Sequence, residues 1–184
     1  MYRLFVALDP PEEIKNQLTE ICFGLPGAKW VDPEQMHITL KFIGEVDGAV
    51  LRDAREALEV ISIDSFEVTV EGMGFFPPHG LPQLIWAGIE KNDRLVQLRN
   101  KVESTLVRAG LKPEKRKFAP HIRLANVKET PPRQLIGYLG QYSLLKLPPF
   151  KVTEFYLYTS FLSSERAIHE VDTAYPLIDI SGEE

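Results

Sequence analysis

The chain has 184 residues, 44% of them hydrophobic and 26% charged, with a formal net charge of −5. That length supports one domain or two small lobes with a real core, no apolar run is long enough to cross a bilayer, and the negative balance argues against a broad basic face gripping long nucleic acid. Cys22 is the only cysteine, which excludes an intrachain disulfide and the usual Cys/His structural zinc site, and fits a reducing cytosol.

The first segment, Leu4–Leu8, reads as a strand. It runs at once into Asp9-Pro10-Pro11-Glu12, too short and wrongly flanked for a secretory signal. A helix follows, with Asp9 as N-cap, Pro10 at the first helical position and Glu12 completing a capping box. Ile14, Leu18, Ile21 and Cys22 make its apolar face, and Gly24, Pro26 and Gly27 end it. Next come a strand through His37, a helix near Val50–Val60 and the strand Phe66–Val70. The turn-rich stretch Phe76–Pro82 leads to a strand over Leu84–Ile89. A well-signalled helix is capped by Asn92 or Asp93, buries Leu95, Leu98, Val102 and Leu106, and stops at Gly110. Then come a strand through His121, a short helix near Arg133–Leu139, the strand Phe150–Tyr158, a connection over Phe161–Arg166 and a last extended segment, Ile168–Leu177.

Met36-His37-Ile38-Thr39-Leu40 and Pro120-His121-Ile122-Arg123-Leu124 are near-copies, 84 residues apart from position 37 to position 121. The same offset maps Phe66, Val68 and Thr69 onto Phe150, Val152 and Thr153. It also maps Leu51 onto Leu135 and Glu45 onto Glu129. Each half reads strand, helix, strand, helix, strand. The turn-rich connections favour an α+β fold of mostly antiparallel sheet, with residues 1–184 forming one bilobal domain and a cleft between two pseudo-twofold-related lobes. No glycine-rich phosphate loop or dinucleotide fingerprint is present.

Alternate residues of a strand share a face. His37, Thr39 and Lys41 are therefore expected on one face, opposite Ile38, Leu40 and Phe42; His121 and Arg123 share another. Two imidazoles that recur in one local context point to paired acid–base groups, since this side chain titrates near neutrality. His79, in a Pro/Gly loop, and His169, at the start of the last extended segment, read as structural residues. Cys22 has no nucleophile motif, and no Asp or Glu stands at ligand-like spacing, so neither metal nor cofactor is expected. Lys112, Lys115, Arg116 and Lys117, just before His121, are candidates for a local positive patch or simply a solvated loop. Phe76, Trp86 and Phe161 are candidates to stack on a base, although Trp86 reads better as core.

These residues resemble the two-histidine phosphoesterases, and among them the RNA 2′,3′-cyclic phosphodiesterases, also called 2′-5′ RNA ligase-like proteins. The family's signature is His-x-Thr-x twice. His37-Ile38-Thr39-Leu40 matches in full, and His121-Ile122-Arg123-Leu124 matches except at its third position. The likeness extends over Arg3–Leu8, the approach from Trp30 to His37, Lys41–Val46, Phe75–Pro77, Trp86–Gly88 and Phe118–His121.

The resemblance implies metal-independent opening of a terminal 2′,3′-cyclic phosphate to a 2′-phosphomonoester. His121 would act as base and His37 as acid, Thr39 would bond a nonbridging oxygen, and Lys41 would contact substrate. The same residues would run a weak reverse 2′-5′ ligation. Partners would be RNA ends or small cyclic-phosphate nucleotides, not a membrane, and the protein would be a cytoplasmic monomer. Arg123 replaces the second threonine, and many relatives carry arginine where this chain has Asn126. Two outcomes stand open. The guanidinium can pair with phosphate bidentately, or it can crowd the pocket and depress a nearby imidazole. Two other functions also stand open: a noncatalytic RNA-end or nucleotide-binding module anchored by Arg123, and a phosphodiesterase for another small cyclic phosphate.

Overall fold

The computed structural model describes residues 1–180. The first half comprises β1 (Tyr2–Leu8), α1 (Glu12–Glu20), β2 (Lys29–Trp30), a 3₁₀ turn (Pro33–Gln35), β3 (Ile38–Val46), α2 (Gly48–Leu58), β4 (Phe66–Val68) and β5 (Val70–Phe76). The second comprises β6 (Leu84–Ile89), α3 (Asp93–Arg108), β7 (His121–Asn126), α4 (Pro132–Gln141), β8 (Phe150–Val152), β9 (Glu154–Leu162) and β10 (Ala167–Pro176).

The strands run antiparallel in the order β10-β9-β1-β3-β7-β6-β5, with β2 added to the edge of β7. This is the expected α+β architecture. The halves meet where β3 pairs with β7, and the paired residues there are Ile38 and Ile122. These are copies of each other at the 84-residue offset. A second, two-stranded sheet repeats the arrangement: β4 pairs with β8, and Glu67 lies opposite Lys151, again its own copy. A residue that pairs with its own repeat marks a pseudo-twofold axis, and this axis passes through both junctions.

Two single strands of the sequence reading are broken in two. Phe66–Val70 becomes β4 and the start of β5; Phe150–Tyr158 becomes β8 and β9. The breaks let Phe66 and Val68 pair with Val152 and Phe150 across the axis, while β5 and β9 return to the main sheet beside β6 and β1.

The helices follow their caps. Asp47 accepts from Val50 N at 2.9 Å and Asn92 from Leu95 N at 3.0 Å, each satisfying an orphan donor. The first helix differs from expectation. It begins after Pro11 with no side-chain cap, because the Asp9 carboxylate is drawn to Lys15 Nζ at 2.6 Å.

Ile14, Leu18, Leu51, Leu58, Leu95, Leu98, Val102, Leu106 and Leu135 from the helices join Leu4, Val6, Leu8, Ile38, Leu40, Ile85, Ile122 and Leu124 from the strands in one buried cluster. That cluster draws on both halves and fills the helix-covered face. Phe5, Ala7 and Tyr158 form a small separate cluster, on the opposite face of β1 and β9. Leu4, Val6 and Leu8 thus point one way, and Phe5 and Ala7 the other.

Ile38 and Ile122 are both 0% exposed. Truncating either to alanine leaves a cavity at the junction of the halves and is expected to cost about 2–5 kcal/mol, read as a lower urea midpoint with an unchanged slope.

Candidate active site

The Ile38–Ile122 pair fixes what surrounds it. Extending that antiparallel register one residue each way sets His37 across from Arg123 and Thr39 across from His121. Both isoleucines enter the helix-side core, so these four neighbours project from the other face. Each histidine thus faces the third motif position of the opposite half. The two histidines lie on a diagonal of the pair, roughly 7–8 Å apart at Cα by strand geometry. The structure brings together His37, His121, Thr39 and Arg123.

Lys41 is not with them. Val6 pairs with Lys41 and Ala7 with Thr39, so Leu40 is left over as a bulge. Leu40 and Lys41 are consequently both buried. The extra residue reverses the alternation. It turns Lys41 to the helix side, where Nζ donates to Glu103 Oε2 at 2.7 Å and to Lys112 O at 3.0 Å. The expectation that Lys41 contacts substrate is therefore corrected.

The slip puts Phe42 on the cleft face instead, 54% exposed, with its ring 5.8 Å from Phe5. β7 carries the matching bulge. Ile85 pairs with Ala125 and Trp86 with Arg123, leaving Leu124 over, and Leu124 and Ala125 are both fully buried. The same slip delivers Asn126 to the cleft side.

His37 is 9% exposed. Its ring is boxed by Tyr158 at 4.7 Å, His169 at 5.5 Å and Phe5 at 5.7 Å between centroids. Burial above all, then His169, then Lys15 push its pKa down to about 3, so the free protein holds His37 neutral. His121 is half-buried beside Phe76 at 5.1 Å and Trp86 at 5.8 Å. Its Nδ1 lies 2.7 Å from Ala119 O. A carbonyl only accepts, so Nδ1 carries the proton and neutral His121 presents Nε2 as a free lone pair. Its pKa is lowered by burial and by Arg123, against the opposing Ala119 bond.

Arg123 is exposed and makes no ion pair or side-chain hydrogen bond among the described residues. Of the basic loop, Lys115 and Lys117 are exposed, Lys112 lends its carbonyl to Lys41, and Arg116 is taken up by Glu114 at 3.2 Å. Among the described residues no three His, Cys, Asp or Glu side chains converge as metal ligands would. Cys22 donates to Leu18 O, and burial pushes its thiol up to about 11, so it is inert.

Sequence reasoning missed several neighbours of the site. His169, read as structural, reaches His37 from β10. Lys15, on the buried side of α1 and paired with Asp9, bears on His37 electrostatically. Trp86, read as core, lies on the cleft side against His121, over Gly74, where any Cβ would strike its ring at 2.4 Å. A Trp opposite a Gly on paired strands was the available signal for Trp86. Nothing in the repeat pointed to His169, whose strand has no copy in the other half; Lys15 maps onto Arg99 at the 84-residue offset, but Arg99 lies over the Phe118 ring instead.

The α+β duplication sets one histidine from each copy at the seam, with an arginine and a threonine between them. The profile of the family described as LigT like Phosphoesterase matches this sequence twice, over residues 8–86 and 88–169, once per half. The chain belongs to the LigT-like phosphoesterases.

Among its curated relatives, a protein of Thermotoga maritima named RNA 2′,3′-cyclic phosphodiesterase is 36% identical, over 92% of both chains. The relative of that name in Archaeoglobus fulgidus is 32% identical, over 91% of this chain and 96% of its own. Among solved structures, TT0787 of Thermus thermophilus superposes with a TM-score of 0.79 at 26% identity, covering 97% of this chain and 99% of that one. E. coli LigT complexed with 3′-AMP superposes at 0.76 and 26% identity, covering 96% and 98%.

The Lys41–Glu103 pair gives the site's support a pH signature. Burial opposes ionisation of Glu103, but bonds from Lys41 Nζ and Glu114 N outweigh it and hold the carboxyl below its ordinary value of 4.5. A depressed carboxylate stabilises the fold above that ordinary value and loses its contribution as pH falls through the depressed one. Lys41→Met is expected to cost about 3 kcal/mol near neutrality, measured by urea unfolding. The deficit should shrink on acidification below pH 4.5, where Glu103 takes up a proton.

Proposed function

We propose that this protein hydrolyses terminal 2′,3′-cyclic phosphates on RNA or on short nucleotides, leaving 2′-phosphomonoesters, by acid–base catalysis from His37 and His121 without a metal. The observation that carries the reading is the Ile38–Ile122 pair, which gives the two histidines a common face with Thr39 and Arg123. The names of the relatives supply the substrate class.

A water attacks phosphorus, and His121 Nε2 takes its proton. The P–O3′ bond breaks and His37 gives its proton to the departing O3′. The Ala119 bond supports this order, because it leaves Nε2 of His121 ready to accept. His37 is neutral in the free protein and takes up its proton when an anionic phosphate arrives beside it and offsets the burial penalty. The Thr39 hydroxyl and the Arg123 guanidinium bond the nonbridging oxygens, where charge grows in the transition state. Arg123 is exposed and has no protein partner among the described residues, so its charge is available to the phosphate. The same contacts taken in reverse give a weak 2′-5′ ligation. A cytoplasmic, monomeric enzyme acting on RNA ends completes the reading; no helix among the described residues is long and apolar enough to cross a membrane.

Hydrolysis of a 2′,3′-cyclic nucleotide should follow a bell-shaped pH profile and persist after chelation. His37→Ala and His121→Ala should each lower kcat at least about a hundredfold. A p-nitrophenyl phosphodiester, whose leaving group needs no proton, separates the roles: His37→Ala should recover much of the lost rate on it and His121→Ala should not. The reverse pattern exchanges the assignments. Equal activity of both variants and the native chain on the cyclic substrate rules the proposal out. Arg123→Thr should lower kcat/KM about tenfold or more, corresponding to loss of a charge-assisted bond of about 1.5–3 kcal/mol; a rise would show that the arginine hinders the site.

A further inference from the structure

β10 has no counterpart in the first half, and it makes the two histidines unlike. It pairs with β9 from Ala167–Leu162 to Pro176–Glu154, and it is fastened to the segment that leads into His37. Gln35 Nε2 donates to Ala167 O at 2.6 Å, and Arg166 Nη1 reaches Asp32 Oδ2 at 2.6 Å. Further along β10, the His169 ring lies 5.5 Å from His37 at 62° and 5.0 Å from Phe5 at 78°. His169 Nδ1 is buried and has no hydrogen-bond partner among the described residues. An imidazole delivered by a strand tied to the approach of its neighbour, with a nitrogen left unsatisfied, is poorly explained by packing alone.

We propose that His169 is a positioning residue for His37: it closes the ring box that orients the His37 imidazole, and the two rings hold no more than one proton between them. The inference rests on the reading of His37 as the acid. Two imidazolium ions at this separation, with Phe5 and Tyr158 excluding water, repel strongly, so the rings titrate as a coupled pair. The surrounding charges add to this. Lys15 of α1 faces His37 beside its partner Asp9. Arg3 of β1, with Glu45 of β3 across from it, bears on His169. Tyr158 of β9 borders His37 directly, and Arg123 and His121 lie across the seam on β7. Burial lowers both imidazoles, and His169 lowers His37 further. Once His37 has gained a proton against the bound phosphate, burial and repulsion from His169 still favour its release to the departing oxygen.

The test is an NMR titration of the histidine ring resonances in the full chain, with and without inorganic phosphate, for the native protein, His169→Phe and His169→Gln. Phenylalanine keeps a ring in the box and glutamine keeps a polar group; both remove the titrating nitrogen. Both variants should raise the His37 midpoint by about half a pH unit or more, and the limb of the pH–rate profile assigned to His37 should move by the same amount. A folded His169→Phe protein with an unmoved His37 midpoint overturns the proposal. The titration needs no turnover, so an inactive native protein would count against the proposed reaction and still leave the coupling of the two rings to be decided by the midpoints.

Discussion

The pairing of Ile38 with Ile122 is the contact on which the rest of the site depends. It joins the halves, buries one branched side chain from each in the common core, and thereby turns the residues on either side of both to the opposite face. A one-residue slip in this register would exchange faces and bury the histidines while exposing the isoleucines. The second junction, at Glu67 and Lys151, holds the same axis from the two-stranded sheet. The bulges at Leu40 and Leu124 interrupt the alternation of each site strand in the same way, sending one further residue into the core and the next back to the cleft.

Symmetry alone would give two equivalent imidazoles, and acid–base chemistry needs two different ones. The difference is built by parts that are not repeated. β10 and Tyr158 close over His37 and leave it 9% exposed, with Lys15 bearing on it electrostatically. His121 keeps a backbone carbonyl on Nδ1 and a more open setting between Phe76 and Trp86. Arg123 and Thr39 add a second asymmetry, a cation on one half and a hydroxyl on the other.

Much of this was legible in the chain. The duplicated phrase carried His37, Thr39, His121 and Arg123, and helical periodicity carried α3 nearly residue for residue, because caps and apolar spacing are local properties. What was not legible depended on long-range pairing. Strict alternation placed Lys41 beside His37, and a single bulge, invisible without the partner strand, moved it to Glu103. The division of Phe150–Tyr158 into two strands follows from pairing with a segment in the other half. His169 joined the site through a hairpin and through the tie from Gln35 to Ala167, 132 residues apart in sequence, and no periodic signal reports such a contact.

The central claim is that the two halves form one site that breaks the P–O3′ bond of a cyclic phosphate. ³¹P NMR of a short RNA ending in a 2′,3′-cyclic phosphate, incubated with the native chain, tests it most directly. The account predicts that the cyclic resonance is replaced by that of a 2′-phosphomonoester alone. A 3′-phosphomonoester, or a cyclic resonance that persists undiminished, would contradict it.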